Sequence, residues 1–215
     1  MSENDFYSML SEADRRRIRS LMIRRRFERN EVVFHQGDPG ASLHVIESGW
    51  FLVQALTPNG GRVGMTIEGP GDVFGELALL DAAGRRTATI RALRRAETMC
   101  LDADRFAELR LSLPEVDRFL VALLTRRVER LTDQLSDAAW TPAEKRVCSV
   151  VLRLAKVFDD GPIKLKQEEL ASLAHTTRPT VSTVLSDLGR QGIVSTGRGS
   201  LVIIDEARLK QRAGK

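Results

Sequence analysis

Two short segments, Phe74-Gly75-Glu76-Leu77-Ala78-Leu79-Leu80 and Arg86-Thr87-Ala88-Thr89, carry the groups needed to hold a phosphorylated sugar. A glycine opening a short helix exposes backbone N–H groups that attract an anion. The carboxylate of Glu76 beside it repels phosphate but accepts a hydrogen bond from a sugar hydroxyl. The pair therefore divides phosphate from ribose. Arg86 supplies a charge-assisted contact with bidentate capacity, and Thr87 adds a hydroxyl donor. The competing reading is a degenerate cassette kept for folding.

A second set of residues suits nucleic acid. Gln167-Glu168-Glu169-Leu170-Ala171-Ser172-Leu173 and Arg178-Pro179-Thr180-Val181-Ser182-Thr183-Val184-Leu185 flank Ala174-His175-Thr176-Thr177. Two short helices crossing at a tight turn need a small residue at the crossing, here Ala171, and apolar residues such as Val181 behind it. Thr177 is a suitable N-cap, which leaves Arg178, Pro179, Ser182 and Thr183 near the exposed N-terminal end of the second helix, where base edges are met. His175 stands at a turn position that often holds glycine and is strained if φ is positive. A hairpin from Gln191 to Ile204 follows, with strands 193–196 and 201–204 joined through Gly197-Arg198-Gly199-Ser200. Arg198 at its tip, with Lys164, Lys166 and Arg190, is placed to contact phosphates.

The elements that must carry these groups can be traced along the chain. Residues 10–29 read as one or two short helices whose arginines form a solvated face. From Glu31 to Leu101, short β-type runs at 31–34, 42–47, 50–56, 62–67, 86–93 and 96–101 are separated by turn signals at Gly37-Asp38-Pro39-Gly40, Ser48-Gly49, Pro58-Asn59-Gly60-Gly61 and Gly69-Pro70-Gly71-Asp72. They predict a small antiparallel barrel or roll. A long helix over about 113–137 repeats Val121, Leu124, Val128, Leu131 and Leu135 at heptad a and d positions, the pattern of a parallel two-stranded coiled coil. A stripe lying on its own domain is the alternative. Thr141-Pro142-Ala143-Glu144 predicts a new helix start, with Thr141 as cap and Pro142 first, and places a boundary just before it.

The 215 residues are 42% hydrophobic, which suits a globular chain of one large or two modest domains. Residues 1–138 hold 20 Lys+Arg against 21 Asp+Glu, and residues 139–215 hold 13 against 8. The excess positive charge lies where the helix pair lies, as an anion-binding module requires. Cys100 and Cys148 are far apart, and His35, His44 and His175 do not cluster, so no metal site or disulfide framework is expected. Nucleophile–base spacing is absent as well, which disfavours an enzyme. A polar start and no apolar run near the ~18 residues that span a bilayer predict a cytoplasmic location and no membrane partner.

Taken together with Phe34-His35-Gln36-Gly37-Asp38, Leu43-His44-Val45-Ile46-Glu47-Ser48-Gly49 and Gly71-Asp72, these motifs resemble the Crp/Fnr family, most closely its cAMP-receptor branch, over nearly the whole chain. The resemblance implies an α+β fold: an N-terminal cyclic-nucleotide-binding β-roll (1–112), a long dimerisation helix with a hinge near Ala138 (113–138) and a C-terminal winged helix-turn-helix (139–215). It implies that Gly75 and Glu76 hold the ribose side and Arg86 and Thr87 the cyclic phosphate, with Leu77 and Ala88 beside them. The effector would be cAMP, with cGMP an alternative, and no metal.

The family's purine contacts fall on Leu131 and Thr132. Leu131 departs from the family's hydroxyl residue, which puts the choice of nucleotide in question. The implied DNA-binding set is Lys166, Thr177, Arg178, Pro179, Thr180, Ser182, Thr183 and Arg198, with Arg178 matching the arginine that reads a guanine. Pro179 and Thr183 replace a family Glu and a second Arg, so the half-site should differ. The implied partners are a pseudo-palindromic DNA duplex, a second copy through residues 113–137, and RNA polymerase. Two rival readings are a family member that needs no effector or senses another, and a cyclic-nucleotide regulatory subunit for a protein partner.

Overall fold

A computed structural model describes residues 10–56 and 62–214. They form two compact units: the described residues up to Arg62 with Thr66–Glu129, and Val63–Met65 with Arg130 onward. The predicted turn at Pro58-Asn59-Gly60-Gly61 lies outside the described residues, as does the polar start except for Leu10.

The first unit opens with α1 (Glu12–Leu21), capped by the Ser11 hydroxyl, which accepts from the Asp14 N–H. Ten strands are described in the chain, eight of them here: β1 (Ile23–Phe27), β2 (Val32–Phe34), β3 (Ser42–Ser48), β4 (Phe51–Leu56), β5 (Arg62–Glu68), β6 (Val73–Phe74), β7 (Thr89–Ala92) and β8 (Ala96–Asp102). The four-residue helix α2 (Leu77–Leu80) separates β6 from β7, and α3 (Ala103–Ser112) follows β8. Two four-stranded sheets result, ordered β1-β8-β3-β6 and β2-β7-β4-β5.

Burial explains the strand sequences. β3 is buried on both faces over residues 43–46, so its centre shows no alternation, while the polar His44 and, in β8, Thr98 are buried as a hydrogen-bonded pair. Phe27, Ile46, Phe74 and Ala96 of one sheet meet Phe51, Ile90 and Ala92 of the other. Phe51 lies 5.1 Å from Phe74 and 5.8 Å, edge-on, from Phe27, ring to ring. The opposite face, with Leu43, Val45, Met99 and Leu101, packs against Ile18 of α1, Phe106 and Leu109 of α3, and Val116, Phe119, Leu120 and Leu123 of the long helix α4 (Pro114–Trp140).

The second unit holds α5 (Ala143–Val157), α6 (Gln167–Leu173), α7 (Arg178–Arg190), β9 (Val194–Gly197), β10 (Ser200–Ile203) and α8 (Glu206–Ala213). Val147, Val151, Leu154, Leu170, Val181, Leu188 and Leu209 form its buried centre. β9 and β10 pair in a two-residue hairpin around Arg198-Gly199, and Ile163 bridges Leu201 beside them.

Several expectations need correction. Residues 23–27 are not helical: β1 pairs with β8, and Glu97 binds Arg24 and Arg26 across the strands at 2.8 and 2.9 Å, so a non-local partner sets their conformation. The strand expected at 86–93 begins only at Thr89, because Arg86 leaves the sheet to reach Ser42 and Gly75. Thr141 does not cap α5. Pro142 takes that place with φ −53° and ψ 138°, and the Thr141 hydroxyl donates to Asp137 Oδ1 instead. The long helix extends to Trp140, and the hairpin strands lie at 194–197 and 200–203. β6, α3 and α8 form without a signal in the segment patterns of the sequence.

Candidate functional site

Arg86 is nearly buried, at 5% exposure. Its backbone is fixed on the Gly37-Asp38 turn: the Arg86 N–H donates to the Asp38 carbonyl, and its own carbonyl accepts from Gly37. Nη1 donates to the Ser42 carbonyl at 2.6 Å and the Gly75 carbonyl at 2.9 Å, and Nη2 to Ser42 Oγ at 3.1 Å. The Phe34 ring covers the guanidinium face at 4.0 Å. Of five N–H donors, three are engaged, and Nε is buried without a partner. Burial pulls the pKa of Arg86 below the ordinary arginine value. The cation is thus pre-positioned with donors left for an anion.

Gly75 has a structural reason to be glycine. Its φ is +89°, and a Cβ there would stand 2.6 Å from Arg86 Nη1 and 2.9 Å from the Ser42 carbonyl oxygen. Glu76 follows with no exposed surface. Arg127 of α4 donates from Nη1 to its Oε1, while Oε2 is buried and unpartnered. A buried carboxylate oxygen in that state is a waiting acceptor for hydroxyl donors. Of the other expected contacts, Leu77 and Ala88 are half-buried beside the cassette and Thr87 is exposed. Leu131 and Thr132 lie about one helical turn beyond Arg127 along α4, and Leu131 is 50% exposed.

Behind Arg86 runs a buried polar chain. Ser42 Oγ lies 3.4 Å from His44 Nε2, and His44 Nδ1 lies 2.9 Å from Thr98 Oγ1. The His44 ring stacks on Phe74 at 5.0 Å. Burial first, then the charges of Arg86 and Arg25, push its pKa down to about 3, so the imidazole is neutral. Among the described residues no cluster of His, Cys, Asp or Glu could hold a metal ion, and both cysteines are free. No helix among them is long and apolar enough to cross a membrane.

In the second unit, Thr177 caps α7, its hydroxyl accepting from the Thr180 N–H and lying 2.9 Å from Thr180 Oγ1. His175 does take a positive φ, +48°. Lys166, Thr177, Arg178, Pro179, Ser182, Thr183 and Arg198 are exposed, and Thr180 is half-buried. Thr183 Oγ1 donates to the Pro179 carbonyl at 3.1 Å. Arg146 of α5 donates to the carbonyls of Ala174 and His175, both at 2.9 Å, and to that of Thr141, which ties the helix-turn-helix turn to the start of its own domain.

Residues 24–112 match the model of the cyclic nucleotide-binding domain, and residues 145–212 match the Crp-like helix-turn-helix domain. The chain is 33% identical over 194 residues to a CRP-like cAMP-activated global transcriptional regulator of Mycobacterium tuberculosis, covering 87% of this chain and 86% of that protein. It belongs to the Crp/Fnr family. Within that family it is also 33% identical to the cyclic AMP receptor protein of Thermus thermophilus, covering 90% of this chain and 89% of the other. The crystal structure of the Thermus thermophilus catabolite activator protein superposes with a TM-score of 0.56 at 31% identity, covering 97% of this chain and 98% of that one. This Crp/Fnr protein is a DNA-binding transcription regulator with a cyclic nucleotide-binding domain, not an enzyme.

Sequence reasoning missed four residues: Arg127, which binds Glu76; Ser42 and Phe34, which hold Arg86; and Arg146. Each reaches its site across at least 28 positions of sequence, and spacing gives no signal at that range.

Proposed function

We propose that the protein is a cytoplasmic homodimeric regulator whose cassette binds cAMP and thereby controls operator binding. The unpartnered Glu76 Oε2 and Arg86 Nε carry this reading, because one suits a ribose hydroxyl and the other an exocyclic phosphate oxygen. Gly75, Leu77, Thr87 and Ala88 complete the cassette. Leu131 and Thr132 would face the purine. Double-stranded DNA would meet Lys166, Thr177, Arg178, Pro179, Thr180, Ser182, Thr183 and Arg198, with RNA polymerase as the protein partner. Residues 1–112 would bind the nucleotide, 113–138 would form the dimer seam and hinge, and 139–215 would bind DNA.

The named relatives that are cAMP-activated or cAMP receptors support cAMP as the effector. A second reading for the base, cGMP, is supported by Leu131 only in that an apolar residue in place of a hydroxyl removes a hydrogen bond that would select adenine. Nucleotide binding would act through the α4 stripe and a hinge near Ala138, and a two-fold dimer would read half-sites about one helical turn (~34 Å) apart.

Calorimetric titration with cAMP and with cGMP, run in parallel on Arg86→Ala, tests the assignment. Saturable binding of one nucleotide, abolished in the variant, is the expected result. Binding that survives in Arg86→Ala would reject the cassette as the site, and no binding of either nucleotide would reject the effector.

A further inference from the structure

Arg178, the first residue of α7, does not stand free in solvent: its Nε lies 3.2 Å from Glu168 Oε1, in the first turn of α6. Both side chains are well exposed, at 65% and 56%. An exposed pair of this kind contributes about 0–1 kcal/mol, so stability does not account for it. Glu168 also lines one surface cleft with Lys166 and Arg178, two of the basic groups expected at the DNA interface. A carboxylate there opposes the electrostatic attraction that drives DNA binding.

The geometry offers a role that offsets this cost. An arginine reads guanine by presenting two parallel N–H groups to O6 and N7. With Nε taken by Glu168, the Nη end of the guanidinium is the part left to present that fork. The side chain is restrained before contact, which lessens the rotamer entropy lost on binding, about 0.5–1.5 kcal/mol for a long side chain. The surroundings fix the backbone that carries each partner. Glu169 accepts from the Lys166 N–H at 3.0 Å and caps α6, the Thr177–Thr180 pair caps α7, and Pro179 stiffens the backbone after Arg178.

We propose that Glu168 is a specificity-determining residue of the DNA interface, holding Arg178 by Nε so that its Nη end addresses a guanine. It lowers affinity for DNA in general and raises discrimination at that base pair. The inference rests on the reading of Arg178 as a base contact.

The test uses full-length protein and an operator selected from random duplexes with the unaltered chain. Affinities for that operator, for versions with each guanine replaced, and for an unrelated duplex are measured at two salt concentrations for Glu168→Gln, Arg178→Ala and the double variant. Glu168→Gln should bind the unrelated duplex about fivefold more tightly while its preference for one guanine falls about fivefold or more. The double variant should discriminate no worse than Arg178→Ala. Tighter binding with undiminished discrimination would overturn the proposal and leave Glu168 a repelling surface charge. Undiminished discrimination in Arg178→Ala would remove the base contact itself, and the proposal with it.

Discussion

Arg127 of α4 reaches the cassette carboxylate of Glu76, its Nη1 donating to Oε1 at 2.5 Å while Nη2 donates to the Val73 carbonyl at 2.8 Å. Glu76 has no exposed surface, and Arg127 is the cation that lies against its carboxylate. Arg127→Gln should destabilise the chain by about 1–3 kcal/mol in urea denaturation and weaken nucleotide binding. Adding Glu76→Gln should restore part of the stability, since two neutral amides replace an orphaned charge, but not the binding. A double variant no more stable than Arg127→Gln would show that the carboxylate's charge is not what the arginine balances.

His44 makes stability depend on pH. Its pKa is about 3 in the folded chain against an ordinary value of 6.5. Between those values the unfolded chain binds a proton that the folded chain does not, so stability is full above about pH 6.5 and is lost as pH falls. The slope contributed is up to about 1.4 kcal/mol per pH unit. Denaturation midpoints at pH 7, 6 and 5 should fall in the unaltered chain and fall less steeply in His44→Gln. Equal slopes in the two proteins would place the acid sensitivity elsewhere.

Four of the five a and d residues of α4 are exposed in the single chain, Val121 65%, Val128 63%, Leu131 50% and Leu135 73%, and Leu124 is half-buried. A stripe that packed on its own unit would be covered, as Leu120 and Leu123 are at 5% and 6%. The exposed stripe therefore suits a second copy of the chain. Val128→Glu with Leu135→Glu should convert a sedimenting dimer to monomer, since two buried apolar side chains contribute about 1.5–3 kcal/mol each. The helical circular dichroism of the units should persist. A dimer that withstands both charges would assign the interface to another surface.

Legibility in the sequence follows the range of each interaction. The long helix, the Thr177 cap, the strained turn at His175 and the Arg86 cassette all rest on patterns within a few residues, and each is read from its own segment. β1 is not, because Ile23-Arg24-Arg25-Arg26-Phe27 lacks alternation and becomes a strand through β8 and Glu97, some seventy positions away. The same holds at the site. Gly75 and Glu76 are visible as a motif, but the contacts that orient Arg86 and Glu76 come from Ser42, Phe34 and Arg127 through folding. Thr141 and Pro142 form a local signal that misleads by one residue, since the threonine hydroxyl finds Asp137 first.

The turn of the helix-turn-helix holds a residue that lacks glycine's freedom. His175 adopts φ +48° while its N–H donates to the Ser172 carbonyl at 3.0 Å and its carbonyl accepts from Arg146 at 2.9 Å. A left-handed conformation costs a residue with a Cβ about 1–2 kcal/mol, and both bonds are made by the backbone N–H and carbonyl of residue 175, which glycine keeps. Glycine returns part of the gain through the greater entropy of its unfolded chain, about 0.5–1 kcal/mol. His175→Gly should therefore raise stability by a net amount of about 0.5–1 kcal/mol and leave operator affinity within about twofold, because the orientation of α7 rests on the retained bonds. Denaturant titration and a DNA-binding isotherm on the same preparation check both outcomes. A loss of stability would mean that the imidazole contributes more through its surroundings than the strained backbone costs. A loss of operator affinity at unchanged stability would make His175 a DNA contact in its own right.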